Sequence, residues 1–169
     1  MSERIRVAIE SAVGYLTEHP DEARYTDGFA TAKLEDGLRA TVHGPDGAAM
    51  MTDMPTSVGG AASAPSPGWF LRAAEASCTA TLIAMRAAHL GVPVESIEVT
   101  VDSQSDDRGI LGIDEDTPAG PLSTRVRVRI AAPASSREEL ERLLEWAVDH
   151  CPVTDAVRRA VPMAVELAE

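Results

Sequence analysis

The sequence predicts a single α+β domain, because helical periodicity and strand alternation both occur within one chain of ordinary domain length. The 169 residues suit one domain, and we expect residues 1–169 to form it. Hydrophobic residues make up 44% of the chain, which is enough for a globular core. Aromatic residues make up only 4%, so that core must be built mainly from small and aliphatic side chains.

Apolar residues at helical spacing predict four helices. The first carries Ile5, Ile9 and Leu16 on one stripe, and a third begins at the capping-box pair Ser136 and Glu139. The predicted helices are residues 3–18, residues 68–90, the segment that follows Ser136, and a short helix from Pro152 to about Arg159.

Alternating apolar residues and turn signals predict the strands. Residues 28–54 read as three short antiparallel strands, with a hairpin turn at Asp36-Gly37. Residues 95–102 and 122–131 are predicted to pair so that acids on one strand face arginines on the other. A last strand is predicted from alternating apolar residues near the end of the chain, Val161, Met163, Val165 and Leu167.

The net charge and the lack of long apolar runs disfavour several classes of binding partner. The net charge of −12 disfavours nucleic acid and anionic membranes, both of which need clustered Lys and Arg. Charged residues interrupt the N-terminal apolar pattern, and no run is long and apolar enough to span a bilayer. We therefore expect a cytoplasmic protein, and a reducing cytosol leaves its two cysteines either as inert core thiols or as a reactive pair.

The segment 68–90 is the most informative part of the sequence. It is apolar nearly all round, and its polar residues form one narrow stripe. That stripe consists of Arg72, Glu75, Thr79, Arg86 and His89. Trp69 within this helix and Trp146 in the next one are interpreted as core residues.

Cys78 lies in the middle of this helix, at the edge of the polar stripe and about 60° from Glu75. A nearby Arg would lower the thiol pKa, and Arg72 and Arg39 are the candidate cations. Glu75 alone would raise that pKa, but paired with an Arg it would hold the Arg in place. From the pattern alone, Cys78 is equally a small core residue.

Cys151 directly precedes Pro152 and is therefore predicted to be the N-cap of a new helix. Free backbone N–H groups at that position favour a thiolate. His150 is its neighbour in sequence, although neighbouring side chains often point apart. The sequence does not decide whether Cys151 approaches Cys78.

No other motif indicates a cofactor. The four histidines have no metal-ligand spacing, and the chain has no CxxC, HExxH, phosphate-binding loop or Gly-x-Ser-x-Gly motif. We therefore expect no bound metal or cofactor.

Two segments together resemble the OsmC/Ohr family. The first is PSPGWFLRAAEASC, residues 65–78, which is similar to the family's first cysteine motif at the start of a long helix. The second is HCPVTDA, residues 150–156, which is similar to its Cys-Pro turn followed by a short helix. The resemblance covers roughly residues 28–168, and the first 20 residues correspond to a helical extension found in some members.

This resemblance implies an intertwined homodimer in which antiparallel sheets wrap around long central helices. It also implies thiol-dependent reduction of organic hydroperoxides in oxidative-stress defence. Cys78 matches the peroxidatic cysteine and Cys151 the resolving cysteine. The implied reductant is an external dithiol of the dihydrolipoyl type, and no metal or flavin is required.

The sequence departs from the family pattern at the assisting residues. Gly68 occupies the position where the Ohr-like members carry a Glu, and Glu75 is the substitute that we hypothesise. Arg39 is the candidate for the family's Arg, although its place on the polar face of a strand equally fits a solvent-exposed side chain. An alternative therefore stays open: a non-enzymatic homodimer that binds a small apolar ligand or a partner, or one that keeps two inert thiols.

Overall fold

A computed structural model describes residues 2–168, which fall into two units. One unit contains residues 2–11 and 74–168, and the other contains residues 12–73. The prediction of one domain over the whole chain stays a prediction.

The elements follow the predicted order. The helices are α1 Ser2–Glu18, α2 Pro67–Leu90, α3 Asp107–Ile110, α4 Arg137–Asp149 and α5 Pro152–Arg158. The strands are β1 Thr31–Asp36, β2 Arg39–His43, β3 Ala49–Thr52, β4 Ser96–Gln104 and β5 Ser123–Ala131. The fold is thus mixed helix and strand, with antiparallel sheets and one long helix, as the sequence predicts.

Strands β4 and β5 form an antiparallel pair in the first unit. Glu98 lies opposite Arg129, and their side chains form an ion pair of 3.2 Å. Asp102 forms a second ion pair of 2.6 Å with Arg127. The predicted facing of acids and arginines is confirmed, and because these side chains are largely exposed, each pair contributes little to stability.

The core of this unit lies where α2 and α4 pack together and against the β4–β5 pair. Ile83 and Ala87 of α2 meet Leu143 and Ala147 of α4, and all four are nearly inaccessible to solvent. The alanines let the two helices approach closely, whereas burying Leu143 contributes about 1.5–3 kcal/mol. Trp146 packs against this cluster, as predicted for a core residue.

Strands β1, β2 and β3 form a three-stranded antiparallel sheet in the second unit. The turn between β1 and β2 contains Gly37 at φ +57°, a backbone conformation that glycine adopts without strain. The three strands and the predicted Asp36-Gly37 turn are confirmed.

The segment after β3 is an ordered loop held by one buried carboxylate. Asp53 is 2% exposed and accepts hydrogen bonds from the N–H groups of Met54, Ala61 and Ser63 and from the Ser63 hydroxyl. The bonds from Ser63 lead in holding the pKa of Asp53 below its usual value. This residue therefore has a structural role within the loop.

Two predictions about burial and pairing are wrong. Residues 160–168 form no strand in the described chain, and Met163 and Leu167 are 84% and 100% exposed. Alternation alone cannot make a strand, because a strand also needs a neighbour for its backbone hydrogen bonds. Trp69, predicted as a core residue, is 48% exposed.

Two residues of the polar stripe of α2 are buried and do not face solvent. Glu75 is 3% exposed and Thr79 is 0% exposed. They continue the row of Ile83 and Ala87 at four-residue spacing, so this row forms the buried face of the helix. Two polar side chains therefore lie inside the first unit.

A substitution at Gly60 tests how closely the loop around Asp53 is packed. A Cβ atom at this position would lie 1.9 Å from the Met54 carbonyl oxygen, so we expect Gly60→Ala to destabilise the protein by about 1–3 kcal/mol. Gly120→Ala is the matched control, because a Cβ atom there meets nothing within 4 Å. Urea unfolding of both variants measures the difference, and equal stability would show that the loop relaxes freely.

Candidate active site

The structure brings the two cysteines together within the first unit. Cys78 lies on α2 and is half-buried, whereas Cys151 precedes α5 and is fully buried. Both thiols are free, and the two side chains lie close enough together for each to shift the pKa of the other. The question that the sequence left open is therefore answered: the residues approach each other although 73 positions separate them along the chain.

Local backbone chemistry places Cys151. Helix α4 ends at Asp149, and Pro152 occupies the first turn of α5, so the chain turns at His150 and Cys151. The Cys151 sulfur accepts a hydrogen bond of 3.5 Å from the N–H of Thr154, which confirms its predicted position as N-cap.

The His150 side chain packs against α4, the helix that it follows. Its ring stacks on Trp146 with the centroids 4.2 Å apart, and its Nδ1 lies 2.8 Å from the Trp146 carbonyl oxygen. A carbonyl oxygen only accepts, so Nδ1 carries the proton. Arg86 lies 4.6 Å from the same indole ring. These contacts fix the imidazole against α4.

The environment pushes the pKa values of the two thiols apart. Burial raises the pKa of Cys151, but the hydroxyl and N–H of Thr154, the Cys78 thiol and the Val153 N–H lie close enough to its sulfur to outweigh this effect, so the net pKa is lowered. Burial and donation to Cys151 together raise the pKa of Cys78, although the Val153 N–H opposes this. The first proton lost by the pair therefore comes from Cys151, and the two sulfurs titrate as one coupled system.

Thr79 completes the surroundings of the Cys151 sulfur. Its hydroxyl is buried and donates toward this sulfur across 4.0 Å. Thr79 follows Cys78 directly on α2, so adjacent residues of one helix contact the same sulfur. This contact places a neutral donor beside the sulfur, at a position that the sequence analysis assigns only to the polar stripe of the helix.

Glu75 lies one turn before Cys78 on the buried face of α2. Its carboxylate is 3% exposed, and it forms no ion pair with the described residues of its own unit. An isolated buried carboxylate is unfavourable, because burial penalises its charged form. Its proximity to Cys78 along the helix agrees with the sequence analysis, and its role stays a prediction.

Arg39 lies on β2 in the second unit. Its guanidinium is 3.4 Å from the carboxylate of Glu35, and its buried Nε has no hydrogen-bond partner among residues 2–168. Both residues of this ion pair are about two-fifths exposed. The structure gives Arg39 a local acidic partner, and its assignment to the thiol site stays a prediction.

Sequence reasoning missed three contributors to the site: Thr79, Val153 and Thr154. Thr79 was read as part of a polar stripe, and the other two were read only as residues of a motif. Helical spacing contained a usable signal, because Thr79 is four residues from both Glu75 and Ile83. The backbone N–H groups of Val153 and Thr154 carry no signal in their side chains.

The described chain offers no sign of a metal centre or a membrane span. Within residues 2–168, no group of three or more His, Cys, Asp or Glu side chains is placed to hold a metal ion. In the same part of the chain, no helix combines the length and the apolar character needed to cross a bilayer.

The fold and the paired cysteines define a class of α+β thiol proteins, and comparison with known proteins identifies the family. The model of the family described as "OsmC-like protein" matches residues 60–166. This chain belongs to the OsmC-like family, as the sequence resemblance indicates. No curated protein sequence matches the chain.

Solved structures share this fold at low sequence identity. The OsmC-like protein from Mycoplasma pneumoniae is 15% identical with a TM-score of 0.69, covering 81% of this chain and 91% of that one. The organic hydroperoxide resistance protein OsmC from Legionella pneumophila is 22% identical with a TM-score of 0.60, covering 80% and 91%. An organic hydroperoxide resistance protein from Elizabethkingia anophelis is 19% identical with a TM-score of 0.61, covering 82% and 92%.

The split in pKa gives a titration experiment. Because the pKa of Cys151 is lowered and that of Cys78 is raised, the thiolate absorbance of the reduced protein should rise in two steps as pH increases. Cys151→Ser should remove the step at lower pH, whereas Cys78→Ser should keep a low-pH step. Persistence of that first step in Cys151→Ser would contradict the assignment, and the urea-unfolded protein provides the reference titration.

Proposed function

We propose that this protein reduces organic hydroperoxides with Cys78 and Cys151. The observation that carries the proposal is the proximity of a half-buried thiol to a fully buried one. The partly exposed sulfur is accessible to a peroxide, and the buried sulfur is placed to react with it next. The names of related structures as organic hydroperoxide resistance proteins support the same reaction class.

The proposed reaction uses both sulfurs in sequence. The Cys78 thiolate attacks the terminal oxygen of the hydroperoxide, the O–O bond breaks, and the leaving alkoxide takes a proton to become an alcohol. Cys78 is then a sulfenic acid. The Cys151 sulfur attacks it, a disulfide forms, and the hydroxyl group leaves as water after gaining a proton. An external dithiol of the dihydrolipoyl type then reduces the disulfide by exchange.

Glu75 and Arg39 are proposed to assist the Cys78 thiolate. Glu75 is buried one turn before Cys78 on the same helix, and the Arg39 Nε is buried without a hydrogen-bond partner in the described chain. Glu75 would take the place of the acid that is missing at Gly68. A cation held near Cys78 would favour its charged form, and this need is greater because burial raises the thiol pKa.

A homodimer is the proposed assembly. Many large apolar side chains of the chain remain exposed, among them Phe29 at 70%, Ile113 at 69% and Val165 at 82%. An unpaired apolar surface of this extent favours association with a second copy. We further propose that the protein works in the cytoplasm, in the response to oxidative stress.

A non-enzymatic ligand-binding role is the second candidate. An open apolar cavity of about 220 Å³ in the first unit is lined by Ile5, Ala84, Val92, Val94 and Ile97, among others. Its lining includes neither cysteine, so a small apolar molecule bound there would not need the thiol chemistry. Ligand that is retained through purification would favour this role.

A single-turnover experiment tests the proposed reaction. Fully reduced protein treated with one equivalent of cumene hydroperoxide should lose two hydrogens and yield a Cys78–Cys151 crosslink on peptide mapping. Cys78→Ser should remain unreactive, whereas Cys151→Ser should accumulate a sulfenic acid at Cys78 that dimedone traps. Thiols that stay reduced under excess peroxide would overturn the enzymatic proposal.

A further inference from the structure

Two buried threonines surround the Cys151 sulfur, and the reaction just described assigns them no part. Thr79 is 0% exposed and Thr154 is 6% exposed. A buried hydroxyl is unfavourable unless it forms a hydrogen bond, so its partner is informative. In both cases the nearby group is the same sulfur.

The Thr79 hydroxyl forgoes the bond that a helical threonine usually makes. Threonine in a helix commonly donates to the carbonyl oxygen one turn earlier. Thr81, on the same helix, does this by donating to the Ser77 oxygen at 2.9 Å. The Thr79 hydroxyl instead points at the Cys151 sulfur, 4.0 Å away.

Thr154 lies on α5, three residues after Cys151, and it contacts the same sulfur. Its N–H donates to the Cys151 sulfur at 3.5 Å. Its hydroxyl is buried without a hydrogen-bond partner in the described chain, yet it is near enough to the sulfur to help lower the pKa of Cys151. A hydroxyl rotates easily, and a sulfur that carries negative charge is a stronger acceptor than a neutral thiol.

We propose that Thr79 and Thr154 are positioning residues that hold the Cys151 sulfur as an anion directed at Cys78. The inference rests on the proposed function and deepens it, because it assigns the two hydroxyls to the disulfide-forming step. In that step the Cys151 thiolate attacks the sulfur of the Cys78 sulfenic acid. The S–S bond forms, the S–O bond breaks, and the departing hydroxide takes a proton from water or a nearby donor.

The two hydroxyls would affect only the second step of the reaction, in which the disulfide forms. A Cys151 sulfur that is already ionised needs no base before it attacks, so the sulfenic acid at Cys78 is short-lived. Slower attack would leave Cys78 open to further oxidation to the sulfinic acid, which most proteins cannot reverse. The threonines would then protect Cys78 while leaving its first reaction with peroxide unchanged.

The test measures the nucleophilicity of Cys151 without peroxide. The reduced protein is treated with an aromatic disulfide reagent such as DTNB, which places thionitrobenzoate on the accessible Cys78. Attack by Cys151 then releases a second thionitrobenzoate, and the rate of this release is followed by absorbance from pH 5 to pH 10. Cys151→Ser must abolish the second release, which assigns the signal.

Thr154→Val and Thr79→Val are each expected to slow the second release about tenfold at low pH, in keeping with the loss of one hydrogen bond to a charged group. The deficit should shrink at high pH, where Cys151 ionises without help, and the Ser variants should restore the rate because they keep the hydroxyl. Thr81→Val is the matched control, since Thr81 is exposed and bonds only within its helix.

Unchanged release in both Val variants would overturn the inference. So would an equal loss in the Val and Ser variants, or a loss independent of pH, because either would indicate disturbed packing. Failure of the proposed peroxidase function has a separate signature. In that case the thiols do not react with cumene hydroperoxide, while the release of thionitrobenzoate still depends on the hydroxyls of Thr79 and Thr154.

Discussion

The site depends on the hydrogen bonds that converge on the Cys151 sulfur. Pro152 starts a new helix immediately after α4 ends, and this turn buries the sulfur beside α2. Burial by itself would keep the thiol neutral. Donors from the first turn of α5, together with the Cys78 thiol, reverse that effect, so the buried sulfur becomes the more acidic member of the pair. The packing of α4 against α2 through Ala87 and Ala147 keeps the helices close enough for this contact.

This arrangement separates two properties that one cysteine would otherwise have to combine. Cys78 is half-buried and its pKa is raised, whereas Cys151 is fully buried and its pKa is lowered. Access decides which sulfur meets an external oxidant, and ionisation decides which sulfur attacks most readily once an intermediate exists. A pair divided in this way suits a two-step reaction. In the proposed reaction the first step also requires help, because Cys78 would have to lose a proton before it attacks a peroxide.

Much of the fold could be predicted from the sequence because its elements are determined locally. Ser136 and Glu139 form the predicted capping box, and the Asp36-Gly37 turn sets the register of β1 and β2. The last segment could not be predicted in this way, because Val161 and Met163 alternate correctly but have no neighbouring strand in the described chain. Strand formation depends on a partner strand that is distant in sequence or lies on another molecule. A local sequence pattern does not show whether that partner strand is present.

The chemistry of the site was only partly predictable, for a related physical reason. The N-cap position of Cys151 follows from Pro152 alone, but its contact with Cys78 depends on how two helices pack. Burial also changes the meaning of the polar residues on α2. A threonine on a polar stripe suggests solvent, whereas Thr79 at 0% exposure must satisfy its hydroxyl inside the unit, and the group within reach is a sulfur. Glu75, also buried one turn earlier on the same face, forms no ion pair with the described residues of its unit, and its part in the thiol chemistry stays a prediction.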